Sequence, residues 1–168
     1  MKPASLLTAL PIFFFILPNV GRSQPQAVAV SPGQDGAAQI TLANGKKTTV
    51  RKERGQSGIS EARIAPDGTV GWFSDYNVEG LSYPISGALI VWRAGKTIRR
   101  FPAKQSFWSW TFYALGKQVA YHDGPLHGES KSHCELHHDV GTGRLISAWE
   151  GDLDSADARP DWTNGLTR

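Results

Sequence analysis

All five histidines of the 168-residue chain, His122, His127, His133, His137 and His138, fall within seventeen residues, together with Asp123, Glu129, Cys134 and Glu135 and followed at once by Asp139. Imidazole and carboxylate ligands suit zinc or copper. The spacing follows no established signature, since HExxH is absent and His133-x-Glu135 lacks the PCxxC that a zinc deaminase requires. A strand over 132–140 places His133, Glu135 and His137 on one face and Cys134, Leu136 and His138 on the other, which divides the cluster. The set that a hairpin can still gather is His122, His127 and His133. These are the candidate ligands for zinc or copper, and no other cofactor is indicated.

Other chemistry has less to stand on. G-x-S-x-G and S-x-x-K are missing, and GQSG at 55–58 falls on a linker between elements. Paired acids for sugar cleavage would come from Asp75, Glu79, Asp123 and Glu129, whose separations the fold must set. DLDSAD at 152–157 begins like a calcium loop but has Ala156 and Asp157 at its fifth and sixth positions. No catalytic residue is assigned. The expected function is an interaction module without catalytic activity, the alternatives being a metal-binding protein, a hydrolase or a sugar-binding protein. Trp72, Trp92, Trp108, Trp110 and Trp149 occupy expected strands, where large aromatics wedge between sheets. A sugar-stacking platform is the functional alternative for them.

Charge narrows the partners. Lys2 precedes an uncharged run at 4–20 rich in Leu, Ile and Phe, and Gly21-Arg22-Ser23 follows as a small-x-small site. This is the layout of a secretory signal peptide, with Pro11 and Pro18 arguing against a membrane span. Cleavage is expected near Ser23, with Ala27 second, giving an exported protein, periplasmic or extracellular, without membrane insertion. Losing Lys2 and Arg22 leaves 16 basic against 15 acidic residues. KKTTVRKER and KTIRR read as solvated strand faces rather than a nucleic-acid stripe, so nucleic acid is not an expected partner. Cys134 has no partner within the chain.

The elements that must position these residues show a repeat. Residues 56–76 align without gaps on 105–125, pairing Gln56 with Gln105, Ser57 with Ser106, Val70 with Val119 and Trp72 with Tyr121. Downstream, SGALIVWRAGKTIRRF matches SHCELHHDVGTGRLISAW, and AQITLANGKKTTVRK matches ALIVWRAGKTIRR as a partial third copy. Strands are expected near 58–65, 69–76, 87–93, 96–101, 107–114, 117–123, 132–140 and 143–149, with a hairpin at 38–43 and 46–52 and a run at 27–30. Asn44-Gly45, Asp67-Gly68, Ala94-Gly95, Ala114 to Lys117 and Thr142-Gly143 supply the turns.

PDG-x-V-x-W and the DV-x-TG-R-L-x-x-W ending, in units of about fifty residues, resemble the blades of WD-repeat-like and TolB-type β-propellers over 38–151. With SYPI at 82–85 and PDW at 160–162, the chain also resembles small exported bacterial proteins of unknown function. The resemblance implies an all-β fold of two four-stranded antiparallel blades plus an N-terminal partial blade, open or completed by self-association, within 24–151. A polar C-terminal tail at 152–168 follows, with Trp162 expected to pack on a sheet. In such meanders the second-to-third-strand loops, 77–86 and 124–131, open on one face. That face, with Tyr76, Glu79, Tyr83, His127 and Glu129, is the expected binding site for a protein partner or a second copy.

Overall fold

The structure, a computed structural model, describes residues 25–126, 133–151 and 159–166, and the backbone alone for 133–137. Residues 1–24, His127, Glu129 and 152–158 lie outside it. The signal segment and residues 127–131 of the second long loop therefore fall beyond the described residues. Among those residues no helix is long and apolar enough to cross a membrane.

The fold is all-β, in three antiparallel sheets. Strands β1 (Ala27–Pro32), β2 (Ala38–Leu42) and β3 (Lys47–Val50) form the first sheet. Strands β4 (Gln56–Ile64), β5 (Val70–Tyr76), β6 (Ile85–Arg93) and β7 (Lys96–Pro102) form the second. Strands β8 (Ser106–Tyr113), β9 (Gln118–Gly124), β10 (His133–Asp139) and β11 (Leu145–Gly151) form the third. Each sheet is a plain meander in which sequence neighbours pair. Equivalent strands of the second and third sheets begin about fifty residues apart, which is the period of the sequence repeat.

Short turns close one end of every sheet. Ala94 and Gly95 both take positive φ, 52° and 86°, the mirror-image turn whose twist suits a two-residue hairpin between β6 and β7. At Asp67-Gly68 the Asp67 Oδ1 accepts from the Thr69 amide at 2.9 Å, fixing the turn between β4 and β5. The registers then place the linkers 51–55 and 103–105 and the loop 77–84 together at the opposite end.

The second sheet is the middle layer, and every residue of β5 from Val70 to Asp75 is buried. On one face Val70, Trp72, Ala88, Ile90 and Trp92 pack against Ala27, Ala38 and Ile40 of the first sheet. On the other, Phe73, Leu89, Val91 and Phe101 meet Phe107, Trp110, Val119 and Tyr121 of the third. Each large apolar side chain buried in these layers contributes about 1.5–3 kcal/mol. Burial on both faces explains why β5 and β6 lack a polar alternate. Phe73 and Phe107 stack at 5.3 Å between centroids.

Two devices lock the layers. A bulge in β4 puts Glu61 at φ 48°, and its carbonyl accepts from Trp110 Nε1 at 2.8 Å, so the inserted residue satisfies the indole buried between sheets. On the far face of the third sheet the chain folds back on itself. A short 3-10 turn at Asp161–Thr163 brings the Trp162 carbonyl to the Tyr113 hydroxyl at 2.6 Å, and Gly165 lies against Tyr113 and Thr111. Thr163 and Leu166 are buried there. The contact expected of Trp162 is made through its backbone carbonyl, with Gly165 beside it.

Candidate functional site

The long-loop end is held by a polar knot whose members are remote in sequence. The linker between β3 and β4 carries Glu53, whose Oε1 accepts from Arg100 Nε of β7 at 2.7 Å and whose Oε2 accepts from the Tyr76 hydroxyl of β5. Gln56, buried at the start of β4, uses both ends of its amide. Its Oε1 accepts from the Glu53 amide at 2.9 Å, and its Nε2 donates to the Gly36 and Gly58 carbonyls, each at 3.0 Å. One side chain thereby ties the first sheet, the linker and the second sheet together. Burial works to raise the Glu53 carboxyl, but hydrogen bonds from Arg100 and Tyr76 and the Arg100 charge hold it below its ordinary value. Burial, then the bond to Glu53, pushes the Tyr76 hydroxyl up.

Beneath this linker the first and second sheets part around a cavity of about 90 Å³, lined by Ala38, Val50, Trp72, Ser74 and Ile90 with Glu53 and Gln56 at its rim. Its wall includes the small residues Ala38 and Ser74. Ser74 is 0% exposed, and its hydroxyl has no hydrogen-bond partner among the described residues.

Two of the candidate acids, Asp75 and Asp123, are held by hydrogen bonds within the fold. Asp75, on the opposite face of β5, accepts from Ser60 and Ser86 hydroxyls at 2.9 Å each. Burial raises its carboxyl above the ordinary value, and the two serine bonds pull back only in part. Asp123 accepts from the Lys104 and Gln105 amides at 2.6 and 3.1 Å, capping the linker between the second and third sheets. Glu79 is exposed in the loop.

Of the expected binding face, Tyr76 belongs to the polar knot, with its ring against Gly87. Tyr83 and Val78 stand exposed in the loop at 45% and 39%, and Trp108, near the start of β8 at the same end, is 43% exposed. His127 and Glu129 lie outside the described residues. Of the candidate ligands, His122 is fully buried in β9, on the face turned from the middle sheet, with Glu135 opposite it in the backbone register. His133 starts β10, opposite Gly151. His138 is on the inner face, stacked on Tyr121 at 5.1 Å, with its Nε2 2.7 Å from the Tyr121 hydroxyl and its ring 4.7 Å from that of Phe101. No three His, Cys, Asp or Glu residues gather as a metal site among the described residues.

Glu53, Arg100 and Ser74 are the site residues that the sequence did not single out. The repeat did flag Gln56 through its pairing with Gln105, yet Gln105 meets Asp123 by its backbone amide and so does a different job. Glu53 and Arg100 sat inside runs read as solvated faces.

No family model matches the chain, and no curated protein matches it. Among solved structures, the chain is similar to Kuenenia stuttgartiensis hydrazine synthase at 16% identity and a TM-score of 0.43, over 68% of this chain and 31% of that one. The chain thus spans about a third of that protein's length, and the likeness is too slight to carry an argument.

Proposed function

We propose that the chain is an exported, propeller-blade-like interaction module without catalytic activity, binding a protein partner or a second copy of itself through a sheet edge and its long-loop end. The observation that carries this is the contrast at that end. Glu53, Tyr76 and Arg100 bond to one another there and Gln56 bonds backbone, whereas Val78, Tyr83 and Trp108 project apolar surface at the same end. Aromatic residues displayed on a rigid end are what a protein partner uses as anchors. The blade-like reading is supported by the equal meanders, the fifty-residue period and the face-to-face stacking of successive sheets.

The test is site-specific photo-crosslinking in the producing cells, from position 83 or 108, with position 44 at the tight-turn end as control. A discrete adduct from 83 and 108, with none from 44, is expected. Its mass separates a second copy from another protein. Absence of any adduct from both positions would overturn the loop-end part of the proposal.

A further inference from the structure

The sequence leaves two places for removal of the signal segment, after Ser23 and after Ala27, and the fold separates them. Ala27 is buried and opens β1 opposite Leu42, inside the cluster that joins the first and second sheets. The Gln26 carbonyl accepts from the Ala43 amide at 2.8 Å. Its side chain lies over Gly68, 2.9 Å from the point where a Cβ there would stand, so it ties the start of the first sheet to the turn between β4 and β5. Pro25 joins Leu42, Lys46 and Trp92 in the wall of a groove of about 300 Å³. A cut after Ala27 would strip all of these attachments and open the mature chain at Val28, inside β1. A cut after Ser23, behind the small residues Gly21 and Ser23, keeps every one of them.

The residue that such a cut leaves first is Gln24. Gln24 itself lies outside the described residues, and Pro25, Gln26 and Ala27 carry the attachments. A glutamine with a free α-amine holds a nucleophile and an electrophile in one residue, and such proximity favours ring closure. The α-nitrogen attacks the side-chain Cδ. The new bond is N–Cδ, the Cδ–Nε2 bond breaks, and the proton shed by the α-amine leaves with Nε2 as ammonia. No oxidant or second reactant is consumed. The product is a pyroglutamyl lactam, whose nitrogen is an uncharged amide where the open chain would carry an ammonium. The closed end thus adds no second cation next in sequence to the groove that Lys46 lines, and it presents no amine to an aminopeptidase.

We infer that Gln24 is the first residue of the mature chain and a modification site, closed to pyroglutamate. This rests on the export reading and adds the covalent form of the exported end.

The experiment takes the full chain as its host processes it, digests it with trypsin and sequences the N-terminal peptide by mass spectrometry. The peptide expected is 24–46, lighter by one ammonia than its open form in nearly every copy. A synthetic, isotope-labelled 24–46 peptide with open Gln24, carried through the same digestion, is expected to stay open and so dates the closure to before isolation. An open Gln24, or closure no greater than in the synthetic peptide, overturns the modification. A start at Val28, or at any other residue beyond Gln24, overturns the cut after Ser23, and in both cases the export reading stands. A peptide that begins at Ser23, which trypsin releases after Arg22 from an uncut chain, overturns this inference and the export reading together. None of these outcomes touches the crosslinking from positions 83 and 108, which tests the module's contact separately.

Discussion

The six-membered ring of Trp110 rests on the backbone of Gly71, in the space that a Cβ at that position would fill. Trp110 is fully buried, with Phe73 and Phe112 about its ring and Glu61 holding its indole N–H. The close approach of the second and third sheets therefore depends on a missing side chain in β5. Gly71→Ala is expected to cost about 1–3 kcal/mol by overpacking, and Trp110→Ala about 3–5 kcal/mol. With the ring gone the added methyl meets open space, so the two losses should not add. A double-mutant cycle by urea unfolding checks this, and an additive result would mean that the ring does not sit on Gly71.

Gln56 is the second place where one residue joins separate elements. Gln56→Leu keeps the volume but strands the Glu53 amide and the Gly36 and Gly58 carbonyls. A fully buried unsatisfied group costs about 1–3 kcal/mol, and these three are part-buried, so a total loss of about 2 kcal/mol is expected. Tyr76→Phe removes one bond at the half-buried edge of the same knot and should cost no more than about 1.5 kcal/mol. Equal losses from the two changes would show that the linker is not held through Gln56.

Asp75 and Glu53 push the stability of the protein in opposite directions as pH changes. Burial raises the Asp75 carboxyl, so the folded state binds its proton more tightly than the unfolded state does. Its contribution is complete below the ordinary aspartate value and declines as pH rises through the raised one. Glu53 is held low, so its contribution is present above the ordinary glutamate value and is lost as pH falls through the lowered one. Asp75→Asn should therefore gain on the wild type steadily as pH rises from about 4, and Glu53→Gln should gain on it as pH falls below about 4. Unfolding curves at stepped pH test both, and parallel profiles for wild type and Asp75→Asn would refute the first.

The strands were readable because their punctuation is local. Asn44-Gly45, Asp67-Gly68 and Ala94-Gly95 announce hairpins whatever surrounds them, and the observed strand ends fall within a few residues of those expected. The knot at the long-loop end was not readable. Glu53 lies 23 residues from Tyr76 and 47 from Arg100, and pairing at that range is set by how sheets stack. The burial of Asp75 and His122 was hidden for a related reason. Each follows a run that a half-exposed strand would also show, and the layers that cover them come from elsewhere in the chain.

The C-terminal segment makes the cover over the third sheet testable. Arg159 to Leu166 lies on the face of β8 that carries Thr111 and Tyr113, with Thr163 fully buried and the Arg159 guanidinium bonded to Thr163. Tyr113→Phe removes the bond to the Trp162 carbonyl and should cost about 1 kcal/mol. Deleting the chain from Arg159 onward should do more, because it uncovers the packed face as well as the hydroxyl. Faster amide exchange in β8 and β9, with new binding of a hydrophobic dye, is the expected signature. Strands in the middle sheet, packed on both sides by other layers, should keep their protection. If exchange in β8 and β9 is the same with and without the segment, the third sheet does not need its cover, and the Tyr113 to Trp162 bond is incidental to the fold.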